Sequence, residues 1–599
     1  MISRRTVKTI SGIVYHDIDS DGRQGNMDPL MEGIGINLFI PADRGIRNDN
    51  GQNVRIRRDR LVARAITNNK GEFRFIANDC EYSVSLDVAT LPAGTAVGNP
   101  FRLVSKGKSD DILFTVNDIK AKDTGKGRYN SNAGGYELCS ADRIRLAYSS
   151  GLIDESTKMR YLARALFNTD KLPKEYRSRV PMKSGTGLLE ELARYLKSRS
   201  QEPVVSEFIR QSVSSSVPEL DKTYRSPSGW FNLHYTLEGE NAVGFSYREP
   251  GAVPPYIMQA AEAFDNVRSV TCHARGYREP VLEEGKDYYD VYVYDLKDKY
   301  GVTYSSEIYS AQKKRTGVAS SYICIDNNYS REKGFDKSRL DCMRVTAAHE
   351  FFHAVQYAYN VEADTWWKEA SATWNEDEVY PGINDYVRYI KKYFNNPGLS
   401  LDKTGYSGVI FAKFLSQYYG GYDAMRRIWE LQAEGQNNSI QAIDRFVRTY
   451  YAGKDIGSVY NQFSIYNTNP AQYYKEGASW NLSASAQNTY AKYPISASIG
   501  KLDHLASNYQ LFQPVDTSRD RSLKIAIEGM EGRWGFTLQK RSSRTKQYSI
   551  TEILSRGLYD RAEIELGGFG TTFDEVWLIP SNLETLQDRM PYAYSAGLE

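Results

Sequence analysis

The sequence predicts a multidomain α+β protein. It has a β-sandwich at each end, a helical segment behind the first, and between them a mixed domain whose later half is mainly helical. Three observations predict this. A chain of 599 residues is too long for one hydrophobic core. Its two ends carry short apolar runs at strand period, punctuated by Gly, Asn, Asp and Pro. Its middle carries apolar residues at helical spacing.

The elements follow in order. Within residues 1–117, SGIVY, GIGINLFI, GEFRFIA and YSVSLDV read as strands of one β-domain. Residues 118–133, rich in Gly, Asn and Lys, read as a linker. Residues 134–228 form the helical segment, with ADRIRLAYSSGLI, STKMRYLARALF and GLLEELARYLKSR as helices and a Ser/Pro-rich connection at its end. Residues 229–485 mix strands (FNLHYTL, YDVYVYDL, SSYICIDNNY) with helices (PPYIMQAAEAFDNVRSV, GVIFAKFLSQYYG, AMRRIWELQAEG). Strand patterns return over 486–599 in LKIAIEGM, RWGFTLQK, RAEIELGGF and DEVWLIPS, which predicts a second sandwich.

Composition excludes several classes. The net charge is +2 at 25% charged residues, so no broad electrostatic attraction to nucleic acid is expected. No apolar run approaches the length of a transmembrane helix. The N-terminus has basic residues but no apolar stretch behind them, so either a signal peptide is missing from this chain or the protein stays inside. The five cysteines (Cys80, Cys139, Cys272, Cys324, Cys342) show no C-x-x-C pair and predict neither a zinc knuckle nor assignable disulfides.

Chemistry concentrates at His349-Glu350-Phe351-Phe352-His353. On a helix the two histidines stand one turn apart on the same face and can grip one metal ion. Glu350 is rotated about 100° from His349, placed to act as a general base in metal-assisted hydrolysis. A catalytic zinc needs a third protein ligand and an open position. In WWKEASATWNED, residues 366–377, Glu369 follows His353 after 15 intervening residues, room for a turn and a second helix. Ala370, Ser371 and Ala372 would let that helix pack closely. Glu376, seven residues on and roughly co-facial, is the competing ligand. No third histidine follows at the spacing of the three-histidine class. For the donor to a developing oxyanion, Tyr406 at the head of GYSGVIFAKFL and His234 in FNLHYT are the candidates. SSYICIDNNY is either a strand beside the cleft that takes substrate backbone by strand addition or a plain central strand.

AHEFFHAVQY followed by WxxEASATW resembles the gluzincin metallopeptidases, which pair H-E-x-x-H with a glutamate on the next helix. More narrowly, residues 230–440 resemble a group of secreted bacterial metalloproteases. The resemblance implies a thermolysin-like catalytic domain with one zinc held by His349, His353 and Glu369, and Glu350 as general base. Thr373 stands where that class usually carries a supporting aspartate, so Glu376 or Asp377 would have to serve instead. A similar helical segment precedes the catalytic part in the resembling proteases; here it is either a removable propeptide or a structural domain.

A second metal site is expected in DIDSDGRQGNMD, residues 17–28. Asp17, Asp19 and Asp21 occupy positions 1, 3 and 5 of a calcium loop, Gly22 the sharp turn and Asp28 position 12. The strand-like flanks place it in a β-domain. SGIVYHDIDSDG, MDPLMEGIGINL, TNNKGEFRF and LPAGT, in that order, resemble the B-type repeats of bacterial surface adhesins, with Asp28 replacing a longer glutamate and Gly25 a common aspartate. That resemblance implies bound Ca²⁺ and a secreted or cell-surface location. Together these features predict a zinc endopeptidase acting on protein or peptide substrates. The alternatives are a non-catalytic surface or adhesion protein with a degenerate peptidase fold, and a zinc hydrolase of non-peptide substrates.

Overall fold

The computed structural model describes residues 7–17, 24–25, 28–49, 52–87, 90–92, 95–97, 101–104, 111–118, 138–198, 217–243, 252–305, 317–435, 438–530, 532–555 and 559–599. Helices and several sheets are mixed along the chain, which forms two compact units. One holds residues 129–393 and 402–455. The other holds 1–128, 394–401 and 456–599.

The first of these units contains the H-E-x-x-H segment. Its main elements, leaving aside the helix Val387–Asn395 at its boundary and the short helical turns, are in chain order α1 (Ser140–Ser149), α2 (Glu155–Phe167), β1 (Met182–Ser184), α3 (Thr186–Ser198), β2 (Lys222–Arg225), β3 (Phe231–Tyr235), α4 (Pro255–Arg268), β4 (Tyr289–Tyr294), β5 (Lys299–Ser305), β6 (Ser321–Asp326), α5 (Arg339–Tyr357), α6 (Thr365–Val379), α7 (Val409–Tyr418), α8 (Gly421–Ala433) and α9 (Ser439–Tyr450). Six strands form one sheet in the order β2-β3-β4-β6-β5-β1. β3, β4 and β6 run parallel, β5 turns antiparallel to β6, and β1 pairs parallel with β5 at the edge.

Helices cover both faces of this sheet, as its apolar runs require. Side chains alternate along β5. Val302 points into a core shared with Leu166, Leu188 and Leu189 of α2 and α3, whereas Gly301 and Thr303 face α5. The helical segment that precedes β2 therefore builds one layer of the unit. Ser338 precedes α5 as its N-cap, its side chain accepting the Asp341 amide. Residues 345–357 of α5 are buried all round, as expected for a helix enclosed by sheet and helices. Of the two readings of SSYICIDNNY, the plain central strand is the one found. β6, the strand of SSYICIDNNY, is hydrogen-bonded to β4 on one side and β5 on the other, so it has no free edge for strand addition.

The second unit is mainly β. Near the N-terminus, Glu72–Asn78, Val7–Asp17, Asp111–Asp118 and Thr95–Val97 form a four-stranded sheet. Ile10, Val14, Ile36, Phe73, Val84 and Phe114 belong to its core. The C-terminal strands enclose a separate core that includes Ile525, Trp534, Leu538, Ile564, Leu578 and Tyr592. Gln52–Ile66 pairs antiparallel with Tyr559–Phe569, so strands from the two ends of the chain share a sheet.

Candidate metal centre

α5 presents His349 and His353 one turn apart, and α6 brings Glu369 to meet them. His349 Nε2 lies 3.1 Å from Glu369 Oε2 and 3.1 Å from His353 Nε2; His353 Nε2 lies 3.6 Å from Glu369 Oε2. All three residues are buried. Bonds of about 2.0–2.1 Å to a tetrahedral zinc would separate its ligand atoms by roughly 3.3 Å, and the three atoms fit such a face.

The outer nitrogens explain the orientation. His349 Nδ1 lies 2.7 Å from Glu376 Oε1, and His353 Nδ1 lies 2.8 Å from Gln356 Oε1. Both partners are acceptors, so both Nδ1 atoms carry the proton and both Nε2 lone pairs turn inward. Two lone pairs and a carboxylate oxygen at these distances repel one another unless a cation or proton lies between them. Burial works to lower the His349 pKa, but hydrogen bonds and charge from Glu369 and Glu376 outweigh it and lift it to about 9. Glu369 moves the other way. Burial opposes its ionisation, but His353 and His349 hold it well below the usual carboxylate range. The donor set of two imidazoles and one carboxylate suits zinc and leaves a position open.

Glu376, the competing ligand by sequence, thus sits behind His349 rather than in the triad. Lys183 on β1 reaches it at 2.8 Å and Asp385 at 2.6 Å. Gln356 is held in turn, its amide donating to Lys368 O and Ser371 Oγ.

Glu350 lies beside the triad with its carboxyl in a defined pose. Oε2 accepts from Thr186 Oγ1 at 2.9 Å and lies 2.7 Å from Thr303 Oγ1, which also stands 2.9 Å from Glu350 O, while Oε1 is buried without a hydrogen-bond partner among the described residues. Gly301 permits this approach of α5 to β5, since a Cβ there would meet Glu350 Cγ at 2.7 Å. Gly187 does the same for Glu369, whose unpartnered Oε1 would lie 2.4 Å from an added Cβ. Gly408 lets the turn carrying Tyr406 pack on Ala370.

Tyr406 joins the site. Its ring centroid is 5.9 Å from that of His349, and its hydroxyl donates to Ser184 O at 3.0 Å. Burial, then the charges of Glu369 and Glu350, push its pKa well above the ordinary value, so it remains a donor. A cavity of about 270 Å³ is lined by Glu369 and Tyr406, with Gly187, Lys183, Arg145 and Lys392 among the other walls. His234 is engaged elsewhere, 2.6 Å from Asp290 and stacked on Tyr292.

At the expected calcium loop, Asp19, Asp21 and Gly22 lie outside the described residues. Asp17 ends its strand, buried, and Asp28 accepts the Gly25 amide at 2.7 Å. The His16 amide bonds Pro29 O, so the two aspartates stand on adjoining backbone segments.

Sequence reasoning missed Thr186, Thr303, Gln356 and Lys183. Gln356 had a signal, being one turn beyond His353 on the same face. Thr186 had none.

No protein-family model and no curated protein matches this chain. Among solved structures it is similar to a family GH115 4-O-methyl-α-glucuronidase with specificity for decorated arabinogalactans, at 11% identity over 71% of each chain and a TM-score of 0.12. It is also similar to a β-glucosidase from Paenibacillus barengoltzii, at 8% identity over 99% of this chain and 70% of that one, with a TM-score of 0.11. Likenesses at this level carry no information about the site.

Proposed function

We propose that the protein is a zinc-dependent endopeptidase of the gluzincin type. The observation that carries this reading is the convergence of His349, His353 and Glu369 beside a carboxylate, Glu350, that has one unpartnered oxygen. A purely structural zinc site takes four protein ligands and needs no adjacent base.

When bound, zinc supplies a Lewis acid that lowers the pKa of water and polarises a carbonyl oxygen. The residues do the rest. Glu376 and Gln356 fix the two imidazoles so that His349 and His353 offer their Nε2 atoms. Glu350 takes the proton of the attacking water at Oε1 and returns it to the departing amine. Tyr406, protonated across the neutral range, donates to the developing oxyanion once its hydroxyl leaves Ser184 O. The substrate is a protein or peptide entering the cavity beside Glu369 and Tyr406.

We assign the N-terminal β-region as the adhesin-like, calcium-binding part, with Asp17, Asp19, Asp21 and Asp28 as ligands, and the location as secreted or cell-surface. No helix among the described residues is long and apolar enough to cross a membrane.

The deciding experiment pairs metal analysis with cleavage. Purified protein should carry about one zinc per chain; Glu350→Ala should keep it and lose cleavage of a denatured protein substrate. Wild-type protein that holds zinc yet cuts nothing in a peptide library would instead be a non-catalytic surface protein on a degenerate peptidase fold.

A further inference from the structure

The stretch Met182–Glu190 belongs to the helical segment, far in sequence from the H-E-x-x-H helix, yet it touches Glu350, Glu369, Glu376 and Tyr406. Lys183 pairs with Glu376. Ser184 O accepts from Tyr406, and Gly187 backs onto Glu369. Glu190 holds Lys368 at 2.5 Å and the Tyr357 hydroxyl at 3.0 Å, anchoring α3 to α6 and α5. Thr186 meets Glu350 itself.

We propose that Thr186 is a positioning residue for Glu350, and that the segment delivering it is a permanent wall of the active site, not a removable cover. This inference rests on the metallopeptidase reading. The Thr186 hydroxyl accepts the Thr303 amide at 2.8 Å, which occupies one lone pair and aims its single proton at Glu350 Oε2, 2.9 Å away. Thr303 Oγ1 stands at the same oxygen, 2.7 Å away. The single Thr303 proton is shared between this oxygen and Glu350 O, 2.9 Å from Thr303 Oγ1, so Thr186 supplies the hydroxyl committed to Oε2, which fixes the carboxyl rotation and leaves Oε1 available to a proton. The segment is also built in as part of the fold. β1 pairs with β5, and Leu188 and Leu189 share a buried core with Val302 and Tyr304 of the sheet. Its removal would strip one face of the sheet that carries the site.

The test uses the full chain with three variants: Thr186→Val, Thr186→Ser and Glu350→Gln. With an internally quenched peptide that the wild type cleaves, Thr186→Val should lower kcat about tenfold or more with KM within about twofold, because orientation is lost and binding is not. Zinc content should be unchanged, and Thr186→Ser, which keeps the hydroxyl, should restore most of the rate. An unchanged kcat in Thr186→Val overturns the proposal. A raised kcat overturns it too, since that is how a cover behaves. Thermal unfolding gives an arm free of activity. Thr186→Val and Glu350→Gln should lower Tm together by less than the sum of their separate shifts, by roughly 2 °C or more. Strict additivity overturns the contact whatever the activity. Coupling in a protein that holds zinc but cleaves nothing overturns the metallopeptidase reading, and with it the positioning role.

Discussion

Glu376 Oε1 lies 2.7 Å from His349 Nδ1, and its other oxygen is paired with Lys183 at 2.8 Å. The carboxylate therefore orients the imidazole from behind, and a buried cation holds the carboxylate. Replacing Glu376 by Gln keeps the shape but weakens the acceptor. Zinc affinity should fall about 10- to 100-fold, the usual effect of losing such a partner, whereas His349→Ala should strip the metal. Competition with a chelator measures both. Equal losses in the two variants would make Glu376 a ligand in its own right.

Gly301 lets α5 pack tightly on the sheet. A methyl at this position meets Glu350 Cγ at 2.7 Å and Thr346 Cγ2 at 2.8 Å. Both lie in a packed interior, so Gly301→Ala should destabilise the fold by about 1–3 kcal/mol and displace Glu350. Turnover should fall further than stability at a temperature where the variant is fully folded. Denaturant unfolding and steady-state rates, measured side by side, separate the two effects.

Acid should loosen the unit that holds the site. Burial opposes ionisation of Asp385, but Arg388 and Lys183 overcome it and hold the carboxyl well below the usual range. A depressed folded value means that this stabilisation is complete above the unfolded pKa, about 3.9, and is lost as the pH falls through the folded value. Tm should therefore drop as the pH is lowered below about 4. Asp385→Asn should lower Tm at pH 7 and shrink that acid-dependent fall. A variant whose Tm tracks the wild type in parallel across this range would remove Asp385 from the account.

The legible part of the site is the part that a helix encodes locally. His349, Glu350 and His353 are related by helical spacing alone, and Glu369 by a short turn and small residues that permit close packing. The strands were legible too, since LKIAIEGM and YDVYVYDL carry their own patterns. Neighbour relations were not. Nothing in SSYICIDNNY states whether both edges of β6 are paired, and nothing in Gln52–Ile66 marks it as a partner of Tyr559–Phe569. Whether Glu376 binds metal or imidazole depends on which nitrogen it meets, a matter of side-chain rotation. Thr186 belongs to Ser-Gly-Thr-Gly, which reads as a turn, and its role exists only through contacts made some 160 residues away.

The anchor of α3 gives the last prediction. Lys368 and Glu190 are both almost wholly buried, and Glu190 is shared with Tyr357 of α5 and Thr365 of α6. Burial pulls the Lys368 pKa down although Glu190 works to raise it, so the lysine relies on its partner to stay charged. Removing one member of such a pair leaves an uncompensated buried charge, which typically destabilises by about 3–5 kcal/mol. Glu190→Ala should therefore be far more damaging than the double replacement Glu190→Leu with Lys368→Met, which removes both charges and keeps the volume. Because α3 begins at Thr186 and Gly187, the single variant should also loosen the walls at Glu350 and Glu369, so zinc should dissociate faster from it than from the double variant. Chemical denaturation reads the first difference and release of zinc to a chromogenic chelator the second. Equal stability of the two variants would show that the Glu190–Lys368 pair is not what fastens α3 to α5 and α6.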